Sequence, residues 1–241
     1  MPFSATDASQ RTAARVAGLA CLVAMAIVVF AQYGIASRLM VPGNAAETAR
    51  NILAHQQLFR ISVVCNLVYS IGVVVLLAAL YVILKPVNRG LALVGALFRL
   101  VYALMWVATA LNFFGALRLL GSAPYLQAFE TDQLQALSRL SLAANFDAYY
   151  VGLPFYGLAS TVCSYLWLKS GYIPRALAVF GVISSAGCVL CAFVFLIFPT
   201  FEKVVNAYWF DSPMALFEIA VSFWLLFKGF RRPDAPVGER T

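Results

Sequence analysis

The sequence predicts an all-α integral membrane protein, a bundle of six transmembrane helices with both termini in the cytoplasm. Three observations lead there. Of 241 residues, 63% are hydrophobic and 11% charged, against about 45–50% and about 25% in soluble domains. The apolar residues gather into six runs, near 13–36, 57–84, 91–120, 139–168, 176–199 and 213–230, each close to or above the ~20 residues that cross a ~30 Å hydrocarbon layer. Lys and Arg are unequal on the two sides of these runs, with ten on one (Arg11, Arg15, Lys85, Arg89, Lys169, Arg175, Lys228, Arg231, Arg232, Arg240) and five on the other (Arg38, Arg50, Arg118, Arg139, Lys203). The richer side faces the cytoplasm by the positive-inside rule, which specifies an inner-membrane, multi-pass arrangement.

In chain order, residues 1–12 form a cytoplasmic tail, 13–230 the membrane domain and 231–241 a second cytoplasmic tail. The first run is too long for a signal peptide and has no small-residue cleavage site, so it reads as a retained span. After Val41-Pro42-Gly43, the spacing of Asn44 and Glu47 matches a capping box and predicts a short interfacial helix leading into span two. The acidic Glu130-Thr131-Asp132 after Pro124 likewise starts a helix that runs on into span four. These loops are too short for a globular outer domain. Leu80-Tyr81-Val82-Ile83-Leu84-Lys85, Ser164-Tyr165-Leu166-Trp167-Leu168-Lys169 and Ser222-Phe223-Trp224-Leu225-Leu226-Phe227-Lys228 each close an even-numbered span. They fit either three related helical hairpins or the general habit of aromatic residues and Lys at an inner interface.

Composition excludes several functions. The net charge of +7 is spread over short turns with no basic block, so nucleic acid is not an expected partner. All five cysteines fall in apolar runs, where free Cys packs as a small hydrophobe. Cys188-x-x-Cys191 has no further ligand nearby, and the lone His55 lies at an interface, so no metal site and no cofactor are expected. One histidine also removes the common hydrolytic and metalloprotease motifs. Gly181-x-x-x-Ser185 and Ala92-x-x-x-Ala96 are small-residue pairs that allow close helix packing.

Ionisable groups inside spans are costly and mark the bundle interior. There are four: Arg60, Arg99, Asp147 and Glu218. At about 1.5 Å of rise per residue, Arg99 lies about 9 Å to the inner side of mid-span, while Glu218 lies about 4 Å, Asp147 about 10 Å and Arg60 about 16 Å to the outer side. Depth pairs Arg60 with Asp147 and Arg99 with Glu218, although helix tilt can exchange the partners. Asn66, Asn112 and Asn145 share the outer half, with Tyr69, Tyr102, Tyr149, Tyr150 and Tyr156 as candidate wall residues. Pro154 in span four frees the carbonyl of Tyr150, a construction met at transporter sites and equally tolerated in structural spans. The set reads either as interhelical ion pairs or as a charged pocket in the outer half that binds a small molecule or lipid. No catalytic residue is assigned. A proton-coupled carrier or intramembrane enzyme using Asp147 or Glu218 is one alternative, and a structural subunit of a larger membrane complex or homo-oligomer is another.

Val41-Pro42-Gly43, Leu58-Phe59-Arg60, Leu84-Lys85-Pro86-Val87-Asn88 with Leu91-Ala92-Leu93, Phe98-Arg99-Leu100, Lys169-Ser170-Gly171-Tyr172-Ile173-Pro174 and Trp224-Leu225-Leu226-Phe227-Lys228-Gly229 occur in this order. Together they resemble a bacterial family of six-span membrane proteins catalogued as a domain of unknown function, over roughly residues 12–230. The resemblance implies a six-span fold and treats Arg60, Arg99, Asp147 and Glu218 as one constellation. It carries over no catalytic residue.

Overall fold

A computed structural model describes residues 5–198, 200–201, 204–205 and 208–229, with the backbone alone for 5–8 and 208. Residues 1–4, Pro199, Glu202, Lys203, Asn206, Ala207, Phe230 and the tail 231–241 lie outside the described residues. All regular structure among the described residues is helical. Helix α1 (Ala5–Val29) runs through a π-helical segment (Phe30–Ala36) into α2 (Ser37–Leu39). Then come α3 (Ala45–Ala54), α4 (Gln56–Leu84), α5 (Arg89–Leu119), a 3-10 turn (Pro124–Ala128), α6 (Thr131–Ser170), α7 (Arg175–Ile197) and α8 (Tyr208–Phe227). Six stretches are long and apolar enough to cross a membrane: Ser9–Leu39, Gln56–Leu84, Arg89–Leu119, Thr131–Ser170, Arg175–Ile197 and Trp209–Phe227. The chain is an all-α, multi-pass membrane protein.

Local chemistry sets the helix ends. Asn44 caps α3 by accepting from the Glu47 amide at 3.0 Å, and its own amide donates to the Glu47 carboxylate at 3.0 Å. The turn before it places Gly43 at φ +74°, a conformation that penalises a side chain. Helix α6 begins where the Glu130 amide donates to the Gln133 side chain at 3.1 Å. That cap moves the start of the fourth helix to Thr131, ahead of the apolar run at 139, and gives a helix of 40 residues, about 60 Å long. Asn88 caps α5 by accepting from the Leu91 amide at 2.9 Å. Gly171, at φ +66°, ends α6 with its amide bonded to the Trp167 carbonyl at 3.0 Å.

The chain divides into two compact units, the first comprising residues 1–22, 73–101 and 153–241, the second 23–72 and 102–152. In lipid, helices associate through close packing rather than water exclusion, so small residues mark the contacts. Within the first unit a Cβ on Gly18 of α1 would stand 2.6 Å from the Ser222 carbonyl of α8. Gly157 of α6 lies against the Ser185 carbonyl of α7, and Thr161 donates to the Ser185 hydroxyl at 2.9 Å. Ser185 returns its own proton to the Gly181 carbonyl of the same helix at 2.6 Å, and a Cβ on Gly181 would meet the Phe217 ring and the Ser164 hydroxyl, so the Gly181-x-x-x-Ser185 pair is a helix contact.

The second unit is built on an apolar core of Ile35, Leu39, Ile52, Phe59, Val63, Phe113, Leu117 and Leu142. Phe59 and Phe113 stack at 5.2 Å between centroids. Ser138 and Ser141 of α6 donate to the carbonyls of Ala116 (3.3 Å) and Asn112 (2.7 Å) of α5, which fixes the register of that pair.

Candidate functional site

The four in-span charges divide between the two units. Arg99 of α5 and Glu218 of α8 meet in the first unit, where Arg99 Nη2 donates to Glu218 Oε1 at 2.5 Å and Nη1 makes a longer contact of 3.5 Å to Oε2. Their side chains are 4% and 11% exposed. Ser160 of α6 closes the cluster, accepting from Arg99 Nη2 at 3.0 Å and donating to Glu218 Oε1 at 2.7 Å. Tyr156, one turn earlier, adds a hydrogen bond to Glu218 and lays its ring 5.5 Å from the guanidinium carbon. Three helices are thereby tied through one carboxylate. Ser160 carried no signal in the sequence, because a serine in an apolar span looks the same whichever way it faces.

Arg60 and Asp147 fall in the second unit, and there the expected pair does not form. Both are exposed on the chain's surface, and neither has an ion-pair partner among the described residues. The reason is helical phase. Phe59, Ser62, Val63 and Asn66 take the buried face of α4, which turns Arg60 outward. On α6, Leu142 and Asn145 face inward and Asp147 does not.

Polarity inside the second unit comes from amides and hydroxyls. Asn66 is fully buried, and neither its Oδ1 nor its Nδ2 has a hydrogen-bond partner. Tyr69 and Tyr102 join hydroxyls at 3.2 Å, Ser70 donates to the Ala103 carbonyl at 2.9 Å, and Trp106 packs edge-on against Tyr69 at 4.5 Å. The pairs Phe59–Phe113 and Ser70–Ala103 run antiparallel and bring Asn66 to the level of Trp106 on α5. The pairs Asn112–Ser141 and Ala116–Ser138 bring Asn145 to the level of Thr109. Asn66 lies four residues before Ser70, and Asn145 four after Ser141, so each shares the face its helix turns to α5. The two buried amides therefore both face α5, about one helical turn apart, with the Tyr69–Tyr102 pair a turn beyond Asn66.

Asn112 is half-buried and contributes its carbonyl to Ser141. Tyr150 is half-buried against Tyr149 at 5.6 Å. Pro154 lies within the continuous helix α6, where its ring leaves the Tyr150 carbonyl without the usual backbone donor. The cysteines are free thiols, and no cluster of His, Cys, Asp and Glu that could hold a metal occurs among the described residues.

The chain is 26% identical over 152 residues to an uncharacterized protein of Archaeoglobus fulgidus, a match covering 63% of this chain and 73% of that one. No solved structure matches. A family model described as Domain of unknown function (DUF4386) matches residues 16–229, nearly the whole membrane domain, and the chain belongs to that family.

Proposed function

We propose that this is a non-enzymatic inner-membrane protein that binds a small uncharged molecule or lipid group in the second unit, at the amide layer of Asn66 and Asn145. The buried, unpartnered amide of Asn66 carries the reading. A buried polar group without a partner costs about 1–3 kcal/mol, and an amide offers a donor and an acceptor side by side. Among the described residues the buried ion pair, Arg99 with Glu218, lies in the first unit, and neither Arg60 nor Asp147 of the second is buried. The layer thus favours a neutral ligand, and the charged pocket expected from sequence becomes an uncharged one. The Lys and Arg count supports placing both termini in the cytoplasm and this layer in the outer half of the membrane.

Gentle extraction followed by native mass spectrometry tests the proposal. A bound species is expected on the wild-type protein and lost from Asn66→Ala and Asn145→Ala, with helix content kept in circular dichroism. A well-folded wild-type protein that carries nothing sinks it.

The subunit alternative has one observation of its own. Asp147 is exposed beside Phe146 and Val151, both also exposed, on a helix that crosses the membrane. A carboxylate there is favoured by a basic partner, and co-purification of a stoichiometric second chain or copy decides it. The enzyme and proton-carrier alternatives draw less support, because Glu218 is held by Arg99, Ser160 and Tyr156 at once.

A further inference from the structure

We infer that the space beside Arg99 in the first unit binds one uncharged oxygen acceptor, either a water or the carbonyl or hydroxyl oxygen of a neutral lipid. This site is separate from the amide layer and does not depend on it. A cavity of about 30 Å³ is lined by Arg99, Glu218, Ser160, Leu80, Trp167 and Val221, with α1 closing it through Ala17 and Cys21. That is room for one water-sized group.

The inventory of donors and acceptors sets the chemistry. Arg99 carries five N–H groups. Nη2 donates to Glu218 and Ser160, and Nη1 contacts Glu218, while Nε is buried with no partner. On the acceptor side, Glu218 is served by Arg99, Ser160 and Tyr156. The cluster is therefore neutral in sum and has donors in surplus, Nε–H and the second N–H of Nη1. An incoming group must accept a hydrogen bond. An anion would meet a guanidinium whose charge Glu218 already balances, inside apolar walls where an unbalanced charge is costly. A cation would meet no free acceptor. What remains is a neutral oxygen of the size the cavity admits.

The test is solid-state magnetic resonance on the full chain, labelled with 15N-arginine and reconstituted in phosphatidylcholine bilayers. The Arg99 Nε signal is assigned by its loss in Arg99→Lys or, if that variant does not fold, by its proximity to a 13C-labelled Tyr156 ring. One arm uses deuterated lipid in ordinary water and reads transfer from water protons to Nε–H. The other uses protonated lipid in heavy water, with the labile sites protonated beforehand, and reads transfer from glycerol-backbone protons. A strong contact in the first arm identifies water as the acceptor, and one in the second identifies a lipid oxygen. Added oleate is expected to leave the signal unchanged. Contact in neither arm, or displacement of the contact by oleate, overturns the inference.

Discussion

Arg99 and Glu218 of the first unit are buried and bonded to each other, whereas Arg60 and Asp147 of the second lie on the chain's surface. The second unit instead buries an amide, Asn66, that bonds to nothing in the protein. One unit thus pairs its buried charges with each other and ties three helices by them, with single groups such as Arg99 Nε left over. The other leaves both ends of a whole side-chain amide unspent in its interior. Buried charge marks the scaffold here, and buried neutral polarity marks the candidate site, the reverse of the usual search order for membrane proteins.

The comparison breaks most readily at the ion pair. Arg99→Ala or Glu218→Ala strands the other charge and is expected to cost about 3–5 kcal/mol. The double variant should recover a large part of that in a thermodynamic cycle of unfolding in mixed micelles. Purely additive losses would mean that the two side chains do not act on each other. Next in size are the glycines. Gly18→Ala in the first unit drives a methyl into the Ser222 carbonyl and should cost about 1–3 kcal/mol. Gly115→Ala in the second meets the Ser141 hydroxyl, a side chain that can turn away at the loss of its bond to the Asn112 carbonyl, for about 1 kcal/mol. Equal melting shifts for the two would remove the distinction between a rigid contact and a yielding one.

Smaller again is Asn66→Leu. Replacing an unpartnered amide by an apolar side chain should raise the stability of the ligand-free protein by about 1 kcal/mol while removing the bound species. Destabilisation of the ligand-free protein would show that the amide has a structural partner. Arg60→Ala and Asp147→Ala should each stay within about 0.5 kcal/mol. A larger loss from Asp147→Ala, accompanied by a change in sedimentation, would transfer that residue to an interface.

The spans, the capped helix after Asn44 and the early start of α6 were legible because they rest on local signals: apolar runs, Asn-x-x-Glu spacing, an acidic turn. The Arg99–Glu218 contact is the pair left over once depth matches Arg60 with Asp147, and the pair that depth itself favours does not form. What depth does not contain is rotation. In a soluble helix the polar stripe reports which side faces inward, but α4, α5 and α6 are apolar nearly all round within the membrane, so Arg60 beside Phe59 and Asp147 beside Phe146 gave no sign of facing outward. Ser160 was hidden for the same reason, and Asn66 stood out only as polar, not as buried without a partner.

The π-helical run Phe30–Ala36 has a bearing on length variation. Such a run holds about one residue more than an α-helix of equal angular travel. Deleting a single residue there would let the segment relax into ordinary α-helix while leaving the phase of everything beyond it nearly unchanged. Leu39, which sits in the core of the second unit only 3% exposed, would stay in that core, and Asn51 would keep the Leu39 carbonyl it reaches at 3.4 Å. The same deletion in the α-helical part of the span would swing its far end by about 100° about the axis, so the π-helical run is the stretch of the first span that tolerates the loss of a residue.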